Sequence, residues 1–250
     1  MISKAKLKYV RSLEQKKYRR QEGVFVAEGP KVVGDLLAVM PARELFATRE
    51  WMESRHPHRA ETVVEVTDDE LRKLSFLQHP QQVLGVFDIP KASVAEGAPG
   101  SQLSLALDGV QDPGNLGTII RLADWFGIDT IYCSLDSADA YNPKVIQATM
   151  GSIARVHIIY TDLAAFIDSL PTGTPVYGTF LDGENIYRQT LQQRGLIVMG
   201  NEGKGVSPEI ARRVSHRLLI PNYPEGRATA DSLNVAIATA IVCSEFRRQP

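Results

Sequence analysis

One stretch, residues 108–127 (DGVQDPGNLGTIIRLADWFG), constrains the fold of this chain more than any other. An apolar run at residues 103–107 precedes it and predicts a buried strand. The turn sequence at residues 112–115 then breaks the chain. Beyond the turn, apolar side chains recur with the spacing of a helix that packs on a sheet: Ile119, Leu122, Ala123 and Phe126. Gly127 ends that helix and residues 128–133 supply the next strand, so the stretch is one βαβ unit.

Strands and helices alternate through the whole chain, which predicts an α/β architecture in two domains. Residues 90–101, rich in Pro, Gly and Ala, predict a linker between a small domain at 1–89 and a larger one at 102–250. In the small domain we expect strands at 24–27, 43–48, 61–67 and 83–89. In the large domain we expect strands at 103–107, 130–133, 156–160, 176–180, 196–199 and 217–220, and helices at 116–126, 143–151, 162–169, 208–214 and 233–248. A mostly parallel sheet with helices on both faces accommodates this order.

Charge is distributed unevenly along the chain. Residues 1–20 hold eight lysines and arginines against a single acidic residue, a net charge of +7, whereas the whole chain has a net charge of −1. Such a basic block indicates a polyanionic partner. The alternative is a solvated terminal helix or a disordered tail, but Leu7, Val10 and Leu13 form a short apolar stripe that argues against the tail.

Composition narrows the class of protein. Hydrophobic residues make up 44% and charged residues 23%, as in ordinary globular proteins. No apolar run is long enough to span a membrane and the first residues do not resemble a signal peptide, so we expect a cytoplasmic protein without a membrane partner. Cys133 and Cys243 lack the spacing of metal ligands and are expected to be structural thiols, and no metal is expected.

Two further loops follow predicted strands. Residues 196–208 contain three glycines just past an apolar strand, which lets backbone approach a ligand closely. The Gly-Lys pair in this loop does not satisfy the phosphate-loop pattern, and no dinucleotide pattern is present. Residues 219–235 join another strand to the long terminal helix, where Ser232 is the expected N-cap. Asn234 is harder to explain by capping, because asparagine is a poor residue inside a helix.

Together these loops resemble those of the SpoU-type (TrmH-like) RNA ribose 2′-O-methyltransferases. The matching segments are DPGNLGTIIRLADWFG (112–127), VMGNEGKGVS (198–207), LLIP (218–221) and SLNVAIATAI (232–241). The N-terminal part resembles the family's RNA-binding domain, a ribosomal-protein-like α/β fold, at residues 12–33 and 79–87. The resemblance covers nearly the whole chain. One departure is the loop at residues 222–231, which is longer than is usual in the family.

The resemblance implies a fold, a cofactor and an assembly. It implies a C-terminal trefoil knot, in which the segment after about Arg217 is tucked through a loop of earlier strands, and a homodimer built on the terminal helix. It implies S-adenosylmethionine as methyl donor, with the adenosine bound among backbone groups. The residues implied in cofactor binding are Thr179, Met199, Gly200, Ile220 and Leu233.

The resemblance also implies the catalytic residues Arg121, Asn115, Glu202, Ser232 and Asn234. Arginine is a poor base because its pKa exceeds about 12, so we expect Arg121 to bind a substrate phosphate and to stabilise negative charge that develops on the 2′-oxygen. Glu202 is expected to orient Arg121 or the ribose, and Ser232 and Asn234 to hydrogen-bond the reacting nucleotide. The structural alternatives are an N-cap for Asn115 and for Ser232, and a carboxylate at the helix dipole before Pro208 for Glu202.

The implied function is methylation of a ribose 2′-hydroxyl in structured RNA, with ribosomal RNA favoured. Phosphate contacts are expected from the basic block: Lys4, Lys8, Arg11, Lys16, Lys17, Arg19 and Arg20. The alternatives are a transfer RNA ribose methyltransferase, a non-catalytic RNA-binding protein of the same fold, and an α/β enzyme acting on a small nucleotide or a protein. The sequence does not identify the target nucleotide.

Overall fold

The computed structural model describes residues 2–54, 59–91, 99–224 and 227–248. The chain forms two compact units, the first made of Met1–Lys91 with Asp139–Ala154 and the second of Ala92–Ala138 with Arg155–Pro250. Most of the predicted linker, residues 92–98, lies outside the described residues. Residues 139–154, which the sequence places within the large domain, therefore pack with the first unit.

The first unit is built on a four-stranded sheet in the order β1-β4-β2-β3. β4 lies antiparallel to both of its neighbours, and β2 and β3 are parallel. Its strands are β1 (Val24–Glu28), β2 (Ala42–Ala47), β3 (Ala60–Glu65) and β4 (Val83–Asp88). Its helices are α1 (Lys4–Ser12), α2 (Lys16–Glu22), α3 (Pro30–Val39), α4 (Arg49–Ser54), α5 (Asp68–Leu74) and α7 (Pro143–Ala148).

Local sequence explains several of these elements. Thr67 and Glu70 form a capping box that starts α5. Val10 and Leu13 are fully buried, as the apolar stripe of the basic block predicts. α7 joins the first unit because its apolar residues Val145 and Ile146 are buried and the helix packs on β1.

Arg19 is a buried cation within the first unit. Its side chain is 1% exposed and forms an ion pair with Asp139. The same guanidinium donates to the carbonyl oxygens of Leu13 at 2.8 Å and Glu14 at 2.7 Å, just past the end of α1. Arg19 therefore holds the first helix and the segment that contains α7, and it is not available to bind phosphate as the sequence suggested.

The second unit contains a six-stranded sheet in the order β10-β8-β9-β5-β6-β7, and every pair in it is parallel. Its strands are β5 (Leu103–Asp108), β6 (Thr130–Cys133), β7 (His157–Tyr160), β8 (Val176–Asn185), β9 (Gly195–Gly200) and β10 (His216–Leu219). Its helices are α6 (Pro113–Trp125), α8 (Leu163–Asp168), α9 (Pro208–Ala211) and α10 (Val235–Arg248). The predicted α/β fold with a parallel sheet is confirmed.

The central strands of this sheet are apolar on both faces because helices cover them. All six residues of β9 are buried. α8 and α9 bury Leu163, Phe166 and Ile210 against the face that carries Ala106 and Val198. α6 and α10 pack against each other; α6 also contacts β6, and α10 also contacts β9. Among the described helices none is both long and apolar enough to cross a membrane.

The two cysteines are free and buried. Burial raises the pKa of the Cys133 thiol to about 12 and, with a smaller opposing effect of the nearby Arg247 charge, that of Cys243 also to about 12. Both thiols therefore stay protonated at neutral pH and serve packing.

We predict that Arg19→Ala lowers the free energy of unfolding by about 3–5 kcal/mol, because it strips a buried ion pair of its cation and leaves two carbonyl oxygens without a donor. Urea unfolding followed by circular dichroism measures the loss. The neighbouring Arg20 is exposed, so Arg20→Ala should change the free energy by less than about 0.5 kcal/mol. Equal effects of the two substitutions would contradict the structural role of Arg19.

Candidate functional site

Three loops meet at one edge of the parallel sheet. They connect β5 to α6, β9 to α9 and β10 to α10. Because the strands are parallel, each loop leaves the carboxyl end of its strand on the same side of the sheet, where open α/β sheets bind their ligands.

Side-chain hydrogen bonds join the loops through Asn115, Glu202 and Asn234, which we call the strand-end network. Asn115 Nδ2 donates to Glu202 Oε1 at 3.0 Å. Asn234 Nδ2 donates to Asn115 Oδ1 at 2.9 Å. The structure thus brings three of the five predicted catalytic residues into direct contact, although they come from separate loops.

Glu202 occupies the entrance of α6. Its Oε2 accepts from the backbone N–H of Gln111 at 3.3 Å and its Oε1 from that of Asp112 at 3.2 Å. Partial burial would raise the pKa of Glu202, but the hydrogen bonds from Asn115 and from backbone N–H groups outweigh it and hold that pKa below its ordinary value. The alternative that placed this carboxylate at the helix before Pro208 is therefore wrong, because the contacts are made at the start of α6.

The capping residues differ from those predicted. Asp112, not Asn115, caps α6 by accepting from the N–H of Asn115 at 2.8 Å. At α10 the helix begins at Val235, and Asn234 Oδ1 accepts from the N–H groups of Ala236 and Ile237 at 2.9 and 3.2 Å. Asn234 is therefore both the cap of α10 and a member of the network. Ser232 lies before the helix and is exposed.

α6 and α10 lie side by side in the same direction. Their first turns are linked by the bond between Asn234 and Asn115. At the other end Arg247 Nε donates to the carbonyl of Phe126 at 2.7 Å, and an Arg247 terminal nitrogen donates to that of Gly127 at 2.8 Å. These two attachments fix the register of the helices.

A cleft of about 460 Å³ opens beside the network within the second unit. Its lining comes from two of the three loops, those after β9 and β10, from the middle of β8 and from the start of α10, and it is rich in apolar side chains. All five residues implied in cofactor binding line it: Thr179, Met199, Gly200, Ile220 and Leu233. Glu202 and Ser232 also line the cleft. The sequence did not single out Phe180, Leu181 or Val206, which line it too, although the first two directly follow Thr179.

The floor of the cleft is a tight turn at Asn201–Gly205. Asn201 and Gly205 exchange two backbone hydrogen bonds at 2.9 Å, and Asn201 Oδ1 accepts from the N–H groups of Gly203 and Lys204. A Cβ on Gly200 would lie 2.2 Å from backbone atoms of Gly205 and Val206. Glycine is required there because the backbone of the turn folds back over the end of β9. The Asn-Glu-Gly-Lys-Gly sequence signals such an asparagine turn.

Arg121 does not join the network. It is six residues past Asn115 on α6, about 120° around the helix axis and about 9 Å along it. Its side chain is exposed, and within the described part of the chain its guanidinium makes no hydrogen bond or ion pair. Glu202 is held by Asn115 and by backbone instead of by Arg121. Arg121 is not among the residues that line the cleft described above, and its catalytic role stays a prediction.

The predicted phosphate-binding residues differ in exposure. Lys4, Lys8, Lys17 and Arg20 are exposed and Lys16 is half-buried. Arg11 is 42% exposed, but its side chain donates to the carbonyl of Ser75 and lies over the Phe76 ring. Lys17 Nζ also lies 5.7 Å from the centre of the Tyr18 ring, and four of the predicted residues are exposed without a hydrogen bond or ion pair among the described residues. Among the described residues no group of three or more His, Cys, Asp or Glu could hold a metal ion.

Residues 102–244 match the SpoU rRNA Methylase family and residues 4–85 match the MRM3-like substrate binding domain. The chain is 31% identical over 247 residues to the 23S rRNA (guanosine(2553)-2′-O)-methyltransferase RlmP of Bacillus subtilis (strain 168), which covers 97% of this chain and 96% of the relative. A solved structure assigned to the TrmH family of RNA methyltransferases, from Porphyromonas gingivalis, is 42% identical with a TM-score of 0.89 over 100% of both chains. An AdoMet-bound rRNA methyltransferase from Sinorhizobium meliloti is 31% identical with a TM-score of 0.85, covering 99% of this chain and 97% of that one.

We predict that the pKa of Glu202 in the native protein is below 4.5 and that Asn115→Ala raises it, because the substitution removes a hydrogen bond to the charged form. A lowered pKa means that Glu202 stabilises the folded site above pH 4.5 and that this contribution fades as the pH falls through the lowered pKa. Carboxyl-carbon NMR titration measures the pKa. Asn185→Ala, which removes an asparagine that caps a different turn, should leave the pKa of Glu202 unchanged; an unchanged pKa in Asn115→Ala would refute the assignment.

Proposed function

This chain belongs to the SpoU rRNA methylase family, and on that premise we propose that its substrate is ribosomal RNA. The resemblance seen in the sequence is confirmed: the chain is an S-adenosylmethionine-dependent RNA ribose 2′-O-methyltransferase. The observation that supports the proposed site is the strand-end network, in which Glu202 accepts a hydrogen bond from Asn115 and also lines the cleft.

The cleft fits S-adenosylmethionine. Its volume of about 460 Å³ falls within the range of about 300–1,000 Å³ that is typical of small-molecule sites. Main-chain N–H and C=O groups near Gly200, Ile220 and Leu233, where two strands end, can hydrogen-bond an adenine. Thr179 and Met199 also line this part of the cleft. When bound, S-adenosylmethionine supplies a methyl group on a positively charged sulfur.

The chain's own residues provide alignment, which is the main requirement of a methyl transfer. We propose that the network fixes the three loops, that Ser232 hydrogen-bonds the acceptor nucleotide at the open side of the cleft, and that Arg121 binds a phosphate of the substrate. The guanidinium then stabilises the negative charge that develops on the 2′-oxygen, while the hydroxyl proton passes to solvent at the open side of the cleft. This role agrees with its exposure and with the absence of an internal partner for Arg121 among the described residues.

We propose that the first unit holds the RNA by electrostatic attraction. Its match to a substrate binding domain supports this assignment, and Lys4, Lys8, Lys17 and Arg20 are exposed on α1 and α2. Contacts of this kind give salt-dependent affinity without choice of sequence. We do not include Arg19 among the proposed RNA contacts, because its side chain is buried.

Three further proposals concern assembly, topology and location. We propose a homodimer formed through α6 and α10, since Trp125 is 82% and Ile237 54% exposed on these helices, and large apolar side chains at a surface indicate an interface. The trefoil knot after about Arg217 and the cytoplasmic location stay proposals from the family resemblance.

The test of the substrate is ribose-methylation mapping of ribosomal and transfer RNA from cells with and without the protein. Loss of a 2′-O-methyl group from ribosomal RNA, restored by the purified protein with labelled donor, is the expected result. Loss from transfer RNA alone would show that the substrate proposal is wrong.

We predict that Arg121→Ala lowers the rate of methyl transfer by about 10²–10³, the usual loss when one group that stabilises a developing oxyanion is removed. Affinity for S-adenosylmethionine, measured by calorimetry, should not change. Arg212 is also exposed and lies away from the cleft, so Arg212→Ala is the matched control and should keep wild-type activity. Full activity in Arg121→Lys would contradict the role, because lysine cannot reproduce the bidentate geometry of a guanidinium.

We predict that Gly200→Ala weakens binding of S-adenosylmethionine, because the added methyl group forces the Asn201–Gly205 turn away from β9. Calorimetry of the purified protein measures affinity, and thermal unfolding reports whether the fold survives. In Gly100→Ala the new methyl group would meet only ordinary contacts, the nearest at 3.5 Å, so affinity should stay at the wild-type value. Equal affinities in the two variants would argue against the cleft as the donor site.

A further inference from the structure

The loop between β10 and α10 begins and ends at the cleft. Ile220, before the loop, lines the cleft, and so do Asp231, Ser232 and Leu233 at its far end. The residues between them form the part that is longer than is usual in the family. The loop is therefore attached to the cleft at both of its ends.

The loop is braced from inside by backbone and by one side chain. Asn222 Nδ2 donates to the carbonyl of Arg227 at 2.7 Å and lies 3.4 Å from Thr229 Oγ1. The backbone N–H of Arg227 donates to the carbonyl of Pro224 at 3.1 Å. These bonds join Asn222 and Pro224 to Arg227 and use no atom of the Tyr223 or Arg227 side chains.

The side chains of Tyr223 and Arg227 are exposed and have no partner among the described residues. Tyr223 is 91% exposed, more than any other large hydrophobic residue described, and Arg227 is exposed as well. Within the described residues neither side chain makes a hydrogen bond, ion pair or ring contact. The hydrogen bonds already hold the backbone next to the exposed ring and the exposed guanidinium. An external ligand that binds them therefore costs little backbone conformational entropy.

An unpaired nucleotide is the ligand that fits this pair. Proteins recognise single-stranded RNA by stacking bases on aromatic rings, and arginine binds the neighbouring phosphate or stacks as well. We propose that Tyr223 stacks on a base adjacent to the nucleotide that is methylated, and that Arg227 binds a phosphate of the same segment, so that the pair selects an unpaired target. The inference rests on the proposed function and adds to it the class of RNA site.

The experiment uses the full chain in four variants: Tyr223→Ala, Tyr223→Phe, Arg227→Ala and the control Tyr187→Ala. Tyr187 is half-exposed, belongs to the same unit and does not line the cleft. Methyl transfer to ribosomal RNA from cells that lack the protein gives kcat and KM. Calorimetry with S-adenosylmethionine and sedimentation report on the cleft and on assembly. Binding to a short single-stranded oligoribonucleotide that contains 2-aminopurine reports stacking directly, because stacking quenches its fluorescence.

The expected result is a KM for RNA that rises about 5- to 150-fold in Tyr223→Ala, with donor affinity and assembly unchanged. Tyr223→Phe should keep the wild-type KM, since the ring is retained. Arg227→Ala should raise KM and reduce the salt slope of RNA binding by about one. Tyr187→Ala should behave as wild type, and the quenching of 2-aminopurine should be lost only in Tyr223→Ala.

Two results would overturn the inference. One is a Tyr223→Ala variant with wild-type KM and wild-type quenching. The other is a rise in KM accompanied by an equal loss of donor affinity or by a change of assembly, since Tyr223 would then support the cleft or contact a second copy. If the wild-type protein methylates no RNA, the proposed function fails; the quenching measurement still decides whether Tyr223 stacks on an unpaired base.

Discussion

The carboxylate of Glu202 at the entrance of α6 is the contact on which the site depends. It accepts hydrogen bonds from two backbone N–H groups of one loop and from Asn115, while its own loop forms the floor of the cleft. A helix N-terminus stabilises a negative charge, so the carboxylate remains ionised and the bonds remain strong. The positions it joins are 87 residues or more apart in the chain, and their relative placement is therefore fixed by folding before any ligand binds.

The pair of parallel helices makes this placement rigid. Asn234 attaches the first turn of α10 to Asn115, and Arg247 attaches its last turns to the loop after α6. A helix held at both ends cannot slide or rotate without breaking both sets of bonds. Because α6 follows β5 and α10 follows β10 after one loop each, the helix pair also fixes where these two loops end, and the second of them lines the cleft.

The sequence predicts the central strands β5, β6 and β9 of the parallel sheet well, because each is a buried, mostly apolar run and local sequence is sufficient there. The sequence does not predict details for which several residues are equally suitable locally, because contacts with distant residues decide among them. Ser232 and Asn234 can both cap a helix, and only the bond to Asn115 selects Asn234. Arg19 and Arg20 are equivalent in a pattern of charge, yet one is buried against Asp139. Residues 139–154 follow a strand of the second unit, but their apolar side chains are buried in the first. Such choices depend on residues far away in sequence.

The loop between β10 and α10 connects donor binding and acceptor binding physically. It starts at Ile220 on the wall of the cleft and ends at Asn234, which caps α10 and bonds to Asn115. A ligand that holds Tyr223 or Arg227 would therefore bind a segment whose two ends belong to the cleft and to the network. Only its middle, residues 222–231, lies outside the matching motifs, so that part can vary in length and sequence while Asn234 and the strand-end network stay the same.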